Sequence, residues 1–532
     1  MNQLTKISIN TLSLALCLML FARCEGAKDT HQADTASMPQ AFNEQHRPQL
    51  HFTPPAMWCN DPNGMVYHNG EYHLFYQHYP DSIAWGPMHW GHAVSKDLIH
   101  WEHLPIALYP DEKGYIFSGS AVVDKDNTSG LGTQENPPLI AIFTYHDMVA
   151  DRAGATDYES QGIAYSLDNG RSWTKYDQNP VLDNPGNTKD FRDPKVFWHS
   201  ETQKWIMVLS SLDHIKFYDS KNLLSWNLMS EFGRNEGNHT VGVWECSDLF
   251  PLKDEEGNEH WILIVNLNDG TPSGGSGTQY FVGQFDGTKF TNANSADTEL
   301  YFDWGRDNFA GITWANVPET QNRTVFLGWM ANWNYARQVP TEAWRNGMTL
   351  PRELSLSTTA EGPRLAALPV PELDAIRGNK ITLTPTTRLA SMDLAGEVSF
   401  PIATSEIKLS FQDVSADAKL EVALSNTRGQ RIAIGYEAST NRYYIDRTNS
   451  GKSDFADDFA GVHWSPRYRS DRNIDLHLIF DVASVELFAD EGEVNMTDLF
   501  FPDEDYSLAT VKVLSGSARL STGEVTSLKS IW

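Results

Sequence analysis

Trp58-Cys59-Asn60-Asp61-Pro62-Asn63-Gly64 heads an apolar stretch, Met65 to Tyr67, a polar turn at Asn69-Gly70 and a second apolar-aromatic stretch, Tyr72 to Gln77. The same order recurs twice. Phe191-Arg192-Asp193-Pro194-Lys195 leads into Val196 to Trp198, a polar turn and Trp205 to Leu209. Trp244-Glu245-Cys246-Ser247-Asp248 leads into Leu249 to Leu252, the polar run Lys253 to Glu259 and Trp261 to Val265. Each unit reads as strand, turn, strand with a carboxylate at its head. Three acids at equivalent places in repeated units converge when the units are arranged around an axis, as in a β-propeller.

A second repeated element agrees with this. Ser95-Lys96-Asp97 runs to Trp101, Ser166-Leu167-Asp168 to Trp173, and Asp219-Ser220 to Trp226, each after an aliphatic or aromatic strand. Each copy is expected to be the outer hairpin of a blade, its turn fixed by an Asp side chain bonding local backbone N–H groups. The units number five and begin near Asp61, Phe117, Arg192, Glu245 and Asp307, the last ending in Gly328-Trp329-Met330-Ala331-Asn332-Trp333. Composition changes at Pro351-Arg352-Glu353-Leu354, and the proline-bearing stretch that follows reads as a crossing linker with one short helix near Pro371 to Arg377. Beyond it come alternating strands from Glu406 to Phe411 through Val511 to Ser515, the pattern of a β-sandwich. The expected fold is all-β: a five-bladed propeller over 48–355, a linker over 356–378 and a sandwich over 379–532.

A formal charge of -28 argues against nucleic acid, because binding a polyanion needs a basic face, and equally against anionic membrane surfaces. A neutral substrate such as a sugar is compatible with it. With 17 Trp, 19 Tyr and 25 Phe there is ample material for a core. Residues 1–23 hold Lys6 and then an apolar run from Ile7 to Phe21, which reads as a secretory signal, so the chain is expected to be exported. Cys24 stands where a bacterial lipoprotein carries its lipidated cysteine, and the polar stretch over 24–47 is expected to be a flexible tether. The expected location is the cell surface, the periplasm or the medium. Cys59 and Cys246 are too few for a disulfide framework and are expected to be free, buried thiols. His89 and His92 flank Trp90 without a partner set, and no His/Cys/Asp spacing suggests a metal.

Hydrolysis of a glycosidic bond needs an acid to protonate the leaving oxygen and a carboxylate to meet the cation developing at the anomeric carbon. Asp61 and Glu245 have the right types, and in a retaining enzyme they would stand ~5 to 5.5 Å apart. Trp244 and a nearby Asp would raise the proton affinity of the acid. Arg192 is expected to hold Asp193 ionised, suiting it to gripping sugar hydroxyls.

Trp58 to Gly64, Phe117-Ser118-Gly119-Ser120, Phe191 to Lys195 and Glu245-Cys246 are similar, in order and spacing, to the signature blocks of glycoside hydrolase family 32, the levanase, inulinase and invertase group. The resemblance runs from about His51 to Glu353, and the sandwich is also what that family carries. It implies a five-bladed propeller and a retaining mechanism on β-fructofuranosides of fructans or fructo-oligosaccharides, with no cofactor. It further implies Asp61 as nucleophile, Glu245 as acid/base and Asp193 as transition-state stabiliser, with Asn60, Gln77, Trp85, Phe117, Ser118, Arg192 and Trp329 binding fructose. Cys59 stands where the family commonly has Met, and Ser247 where Pro usually follows Glu-Cys. Ser166 to Trp173 matches the Asp-box turn of sialidases, but one full copy and a single Arg beside Asp193 do not make a site for a carboxylated sugar. Arabinan or xylan hydrolases share the three-acid plan without Asn-Asp-Pro-Asn-Gly and Glu-Cys together. A glycan-binding lipoprotein, the alternative outside enzymes, has no need of all three acids.

Overall fold

The computed structural model describes residues 42–239 and 242–532; the expected signal, Cys24 and most of the tether lie outside the described residues. Five antiparallel sheets follow one another along the chain. Blade I is Met57–His68, Glu71–Tyr79, His89–Ser95 and Trp101–Leu108. Blade II is Tyr115–Val123, Leu139–His146, Glu159–Ser166 and Thr174–Lys175. Blade III is Phe191–His199, Lys204–Ser211, His214–Ser220 and Asn227–Phe232. Blade IV is Trp244–Lys253, Glu259–Leu267, Gly277–Phe285 and Phe290–Asn292, with Leu300–Tyr301 as an added piece. Blade V is Phe309–Thr313, Thr324–Trp329, Arg352–Thr359 and Gly362–Pro369. Trp344–Arg345 returns from blade V to pair in parallel with Met57 and Trp58 on the inner edge of blade I.

The strand read as the end of the last unit, up to Trp329, is only the second of blade V. Arg352–Thr359 and most of the stretch expected as a linker complete that blade, paired from Arg352–Pro369 to Thr359–Gly362. The prolines misled because Gly362–Pro369 is an edge strand, where Pro363 and Pro369 need not donate into a sheet. Only a short 3-10 turn, Pro371–Ala375, precedes the next sheet. The tether also ends early. Phe42 stacks on Trp532 at 4.0 Å, and buried Arg47 lies 3.8 Å over the Trp344 ring while bonding Glu44, Thr53 and Pro54.

The outer hairpins of blades I and II are tied as expected, with Asp97 accepting from the Ile99 and His100 N–H groups and Asp168 from that of Ser172. In blade III the role falls to Asn222, which accepts from Leu224 and Ser225, while Asp219 pairs with Lys204.

Two six-stranded sheets form the C-terminal sandwich, one from Arg377–Thr382 to Val494–Leu499 and one from Ser391–Asp393 to Val462–Pro466. In Ser405–Gln412 the residues Ile407, Leu409 and Phe411 face the shared core, alternating with polar neighbours. The sandwich is stitched to the segment between blades IV and V: the N–H groups of Trp304 and Arg306 donate to the carbonyls of Asn495 and Thr497. Gly305 permits that approach, since a Cβ there would stand 2.2 Å from the Thr497 nitrogen. Beside it Arg352, fully buried, donates to Asp303, Glu486 and Thr497. Buried ion pairs add little net stability, but removing one partner costs about 3 to 5 kcal/mol, so they fix register more than they hold the fold.

His51 sits in the same network with Nδ1 2.8 Å from Asp481 and Nε2 2.7 Å from Glu486, all three side chains fully buried. Burial alone lowers its proton affinity; the two carboxylates outweigh that and raise its pKa to about 9. Burial likewise opposes ionisation of Glu486, but Arg352 and His51 bring it down to about 2. A raised histidine contributes stability that is complete below its unfolded pKa and lost as pH climbs through the folded value. The depressed Glu486 loses its contribution as pH falls toward 2. The melting temperature should therefore decline between pH 7 and 9, by a few degrees, and His51→Gln should melt lower at pH 6 with a flatter alkaline limb. Scanning fluorimetry across pH on both proteins checks this; an equally steep limb in the variant would remove His51 as its origin.

Candidate active site

Each blade's innermost strand departs from regular pairing at the same place. Two residues face one across the ladder: Asn60 and Asp61 opposite Gln77, Phe117 and Ser118 opposite Thr144, Asp193 and Pro194 opposite Leu209, Cys246 and Ser247 opposite Val265, Ala310 and Gly311 opposite Gly328. These are β-bulges, which bend a strand and re-aim its side chains. Asp193, Cys246 and Ala310 take up the bend with φ of 64°, 43° and 54°, a left-handed conformation that costs of order 1–3 kcal/mol each. The three acids are not at one repeat position, as the sequence suggested. Glu245 precedes its bulge, Asp193 is the first bulged residue and Asp61 the second. This one-residue stagger brings them to a common cavity from three blades.

The cavity measures about 540 Å³. Asn60, Asp61, Gln77, Trp85, Phe117, Ser118, Arg192, Asp193 and Glu245 all line it, so nine of the ten residues singled out in the sequence are brought together. Trp329 is the exception. It is fully buried, its indole N–H donating to the Cys59 carbonyl behind Trp58, and Trp333 lines the cavity in its place, 4.8 Å from it. Trp329 lies within a paired strand, whereas Trp333 lies in the turn after it, a difference the Trp-rich run conceals. The sequence reading also missed His146, Met148, Asp151 and Tyr158 of blade II, Lys189 and Asp190 before blade III, Asn268, and Arg337. Asp190 adjoins the Phe-Arg-Asp block and was within reach of the reading; the blade II loop carries no motif.

Asp61 is held by three donors. Asn60 Nδ2 reaches Oδ1 at 2.9 Å, and Ser118 Oγ and Cys246 Sγ reach Oδ2 at 2.6 and 3.5 Å. Asn60 is itself fixed by the Trp58 indole N–H at 2.7 Å. The Cys246 backbone N–H donates to Asp193 Oδ2 at 3.0 Å, and Thr144 Oγ1 accepts from the Asp193 N–H at 3.0 Å. One residue thus links the three acids: Cys246 follows Glu245 in the chain and bonds both Asp61 and Asp193. Cys59 and Cys246 are free and buried, and burial pushes both thiols up.

Arg192 donates to Glu245 Oε1 at 2.7 Å, to Asp190 Oδ1 at 2.6 Å and to Glu159 Oε1 at 3.1 Å. Its nearest approach to Asp193 is 4.0 Å, from Nε. The expectation that Arg192 keeps Asp193 ionised is therefore corrected. Burial raises the Asp193 pKa; Arg192 opposes it, but Glu245 and Asp61 add to it, and the value reaches about 8. Glu245 is also raised, by burial first, against the pull of Arg192 and with the help of Asp61 and Asp190. A buried carboxyl with raised proton affinity beside a second carboxyl gripped by donors is the equipment of acid-assisted cleavage at an anomeric centre.

Fold and site together define a glycoside hydrolase of the propeller type. The chain matches the model of the glycosyl hydrolases family 32 N-terminal domain over residues 51–369 and that of the family 32 C terminal over 372–528, and it belongs to that family. It is 45% identical over 501 residues to a levanase of Bacillus subtilis (strain 168), covering 92% of this chain and 72% of that one. It is 38% identical over 520 residues to an extracellular exo-inulinase of Aspergillus awamori, covering 92% and 96%. Among solved structures it resembles exo-inulinase from Aspergillus awamori, with a TM-score of 0.84, 36% identity, and 92% and 100% of the two chains covered. It also resembles a fructofuranosidase from Schwanniomyces occidentalis complexed with fructose, with a TM-score of 0.81, 32% identity, and 91% and 98% covered.

The crowding of Asp193 has a measurable cost. An acid whose folded pKa is raised destabilises the fold increasingly as pH rises from its unfolded pKa, 3.8, toward about 8. Asp193→Asn keeps the acceptor for the Cys246 N–H and removes the charge. It should raise the melting temperature by a few degrees at pH 8 and change it little at pH 4, while turnover is lost; thermal melts at the two pH values, with an activity assay, check both halves.

Proposed function

We propose that this protein hydrolyses the β-fructofuranosidic bonds of fructans, levan or inulin, and of sucrose-like oligomers, releasing fructose from the chain end with retention. Asp61 attacks the anomeric carbon while Glu245 protonates the departing oxygen, giving a fructosyl ester on Asp61. Glu245 then takes a proton from water, which attacks the anomeric carbon and breaks its bond to the Asp61 oxygen, releasing fructose and restoring the Asp61 carboxylate. Asp193, Asn60, Gln77 and Arg192 hold the ring hydroxyls, and Trp85, Phe117 and Trp333 wall the ring. The observation that carries the reading is the pairing, in one cavity, of Asp61 held by Asn60, Ser118 and Cys246 with Glu245 of raised proton affinity. The relatives' names, levanase and exo-inulinase, support fructans as the substrate class.

Attack at a chain end is supported by the rim. Trp85 of blade I, Met148 and Asp151 of blade II, Lys189 before blade III, Asn268 after Glu259–Leu267 of blade IV, and Trp333 and Arg337 between the second and third strands of blade V line the cavity, so every blade contributes to its wall. The reading places the enzyme outside the cytoplasm, as the name extracellular exo-inulinase does for that relative, with Cys24 as the point of lipid attachment.

Incubation with levan, inulin and sucrose should release free fructose as the first product. Release of oligomers instead would indicate internal cleavage, and no release from any of the three would sink the assignment. Asp61→Ala should lose turnover on every substrate, by about 10⁴-fold or more, whereas Glu245→Ala should retain turnover of an activated aryl fructoside, whose leaving group needs little protonation. The reverse pattern would exchange the two roles.

A further inference from the structure

Glu159 lies behind the cavity wall and does not line it, yet its carboxylate, fully buried, makes three bonds around the site. It opens the third strand of blade II, directly opposite His146 in the ladder. Oε2 accepts the backbone N–H of Phe191 at 2.6 Å, the first residue of the innermost strand of blade III. Oε1 accepts Arg192 Nη1 at 3.1 Å and His146 Nδ1 at 2.9 Å. Arg192 in turn donates through Nη2 to Glu245, and the His146 ring stacks 4.2 Å from Phe117, a cavity wall, with Tyr158 at its edge. A single carboxylate thereby orients the guanidinium that touches Glu245 and the imidazole that backs Phe117.

We infer that Glu159 is a positioning residue that sets the protonation and aim of Glu245 through Arg192, and so determines how the enzyme handles leaving groups that need a proton. The inference rests on the role proposed for Glu245. Arg192 is shared among Glu159, Asp190 and Glu245, with Asp193 at 4.0 Å. The charged and titratable groups facing Glu245 are Arg192, Asp61 and Asp190, with Asp193 joined to it through the same arginine. Those facing Glu159 are Arg192 and His146, with Asp151 beyond the imidazole at 3.5 Å and Tyr158 beside it. Neutralising Glu159 acts on Glu245 in one direction by two routes. It removes a negative charge that disfavours ionisation of Glu245, and it leaves Arg192 one carboxylate fewer, strengthening its bond to Glu245. Both make Glu245 give up its proton at lower pH.

The test compares the pH dependence of kcat/KM for the wild type, Glu159→Gln, Glu159→Asp and Glu245→Gln, on sucrose and on an activated aryl fructoside. Glu159→Gln keeps the length and an acceptor oxygen; its basic limb on sucrose should move acid by about one pH unit, with an about tenfold loss at pH 7, while the aryl fructoside loses less than about threefold. Glu159→Asp, which retains the charge, should return the limb toward the wild-type position. A merely structural role would lower both substrates together and leave the limb in place, and that outcome overturns the inference. Glu245→Gln separates the two levels. If its basic limb persists, the role of Glu245 fails and this inference with it; if the limb vanishes there yet does not move in Glu159→Gln, Glu159 alone has been misread. Should Glu159→Gln not fold, His146→Gln supplies the measurement: Glu159 then loses the Nδ1 donor of His146 and draws harder on Arg192, and the limb should move alkaline.

Discussion

The bulge at the head of every innermost strand is the constraint on which the site depends. A regular strand sends successive side chains to opposite faces, so it offers a central cavity only every second residue. Doubling two residues against one lets neighbours in the chain face the same space, as Asn60 with Asp61 and Phe117 with Ser118 do. Because all five blades carry the bulge, the acids need not occupy one repeat position to meet. The strain at Asp193 and Cys246 is borne by the ladder on either side, which resumes at Lys195 and Asp248, themselves joined by an ion pair of 2.9 Å.

Crowding carboxylates is the second half of the design. Asp61, Asp190, Asp193 and Glu245 share a cavity in which Arg192 is the cation in direct contact with the acids, and burial denies them water's screening. Burial first, and then the neighbouring carboxylates, raise the proton affinity of Glu245 and Asp193, and Asp61 is gripped by three donors. Cys246 matters here less as a thiol than as a joint, since its N–H and its sulfur serve two different acids.

Much of this was legible in the amino-acid order. The heads of the five blades, the three acids and most of the residues around them stand in short, chemically unusual blocks that survive without knowledge of tertiary contacts. What was not legible depended on the direction in which a side chain leaves the backbone. Trp329 and Trp333 are four residues apart and alike in type, and only the end of a strand between them decides which one reaches the cavity. Arg192 next to Asp193 in sequence suggested a pair, but the extended arginine passes its neighbour and reaches Glu245, 53 positions away. The proline-bearing stretch over 356–378 reads as a linker because a single sequence does not mark which strand is an edge. Met148 and Asp151 lie in the short helix Met148–Arg152 and Asn268 in a loop, all of ordinary composition, and the fold alone brings them to the rim.

Residues near 42–51 and those near 481–532 are partners. The Ile531 N–H donates to the Gln49 carbonyl, the Trp532 indole to Pro48, and His51 bridges Asp481 and Glu486. A ribosome delivers these groups in the opposite sense, the first of them some 430 positions before the acids they need. During synthesis, then, His51 stays without its two carboxylate partners until the sandwich has emerged. The propeller and the sandwich, which look like two successive modules on paper, share a seam that closes only once the last residues are available.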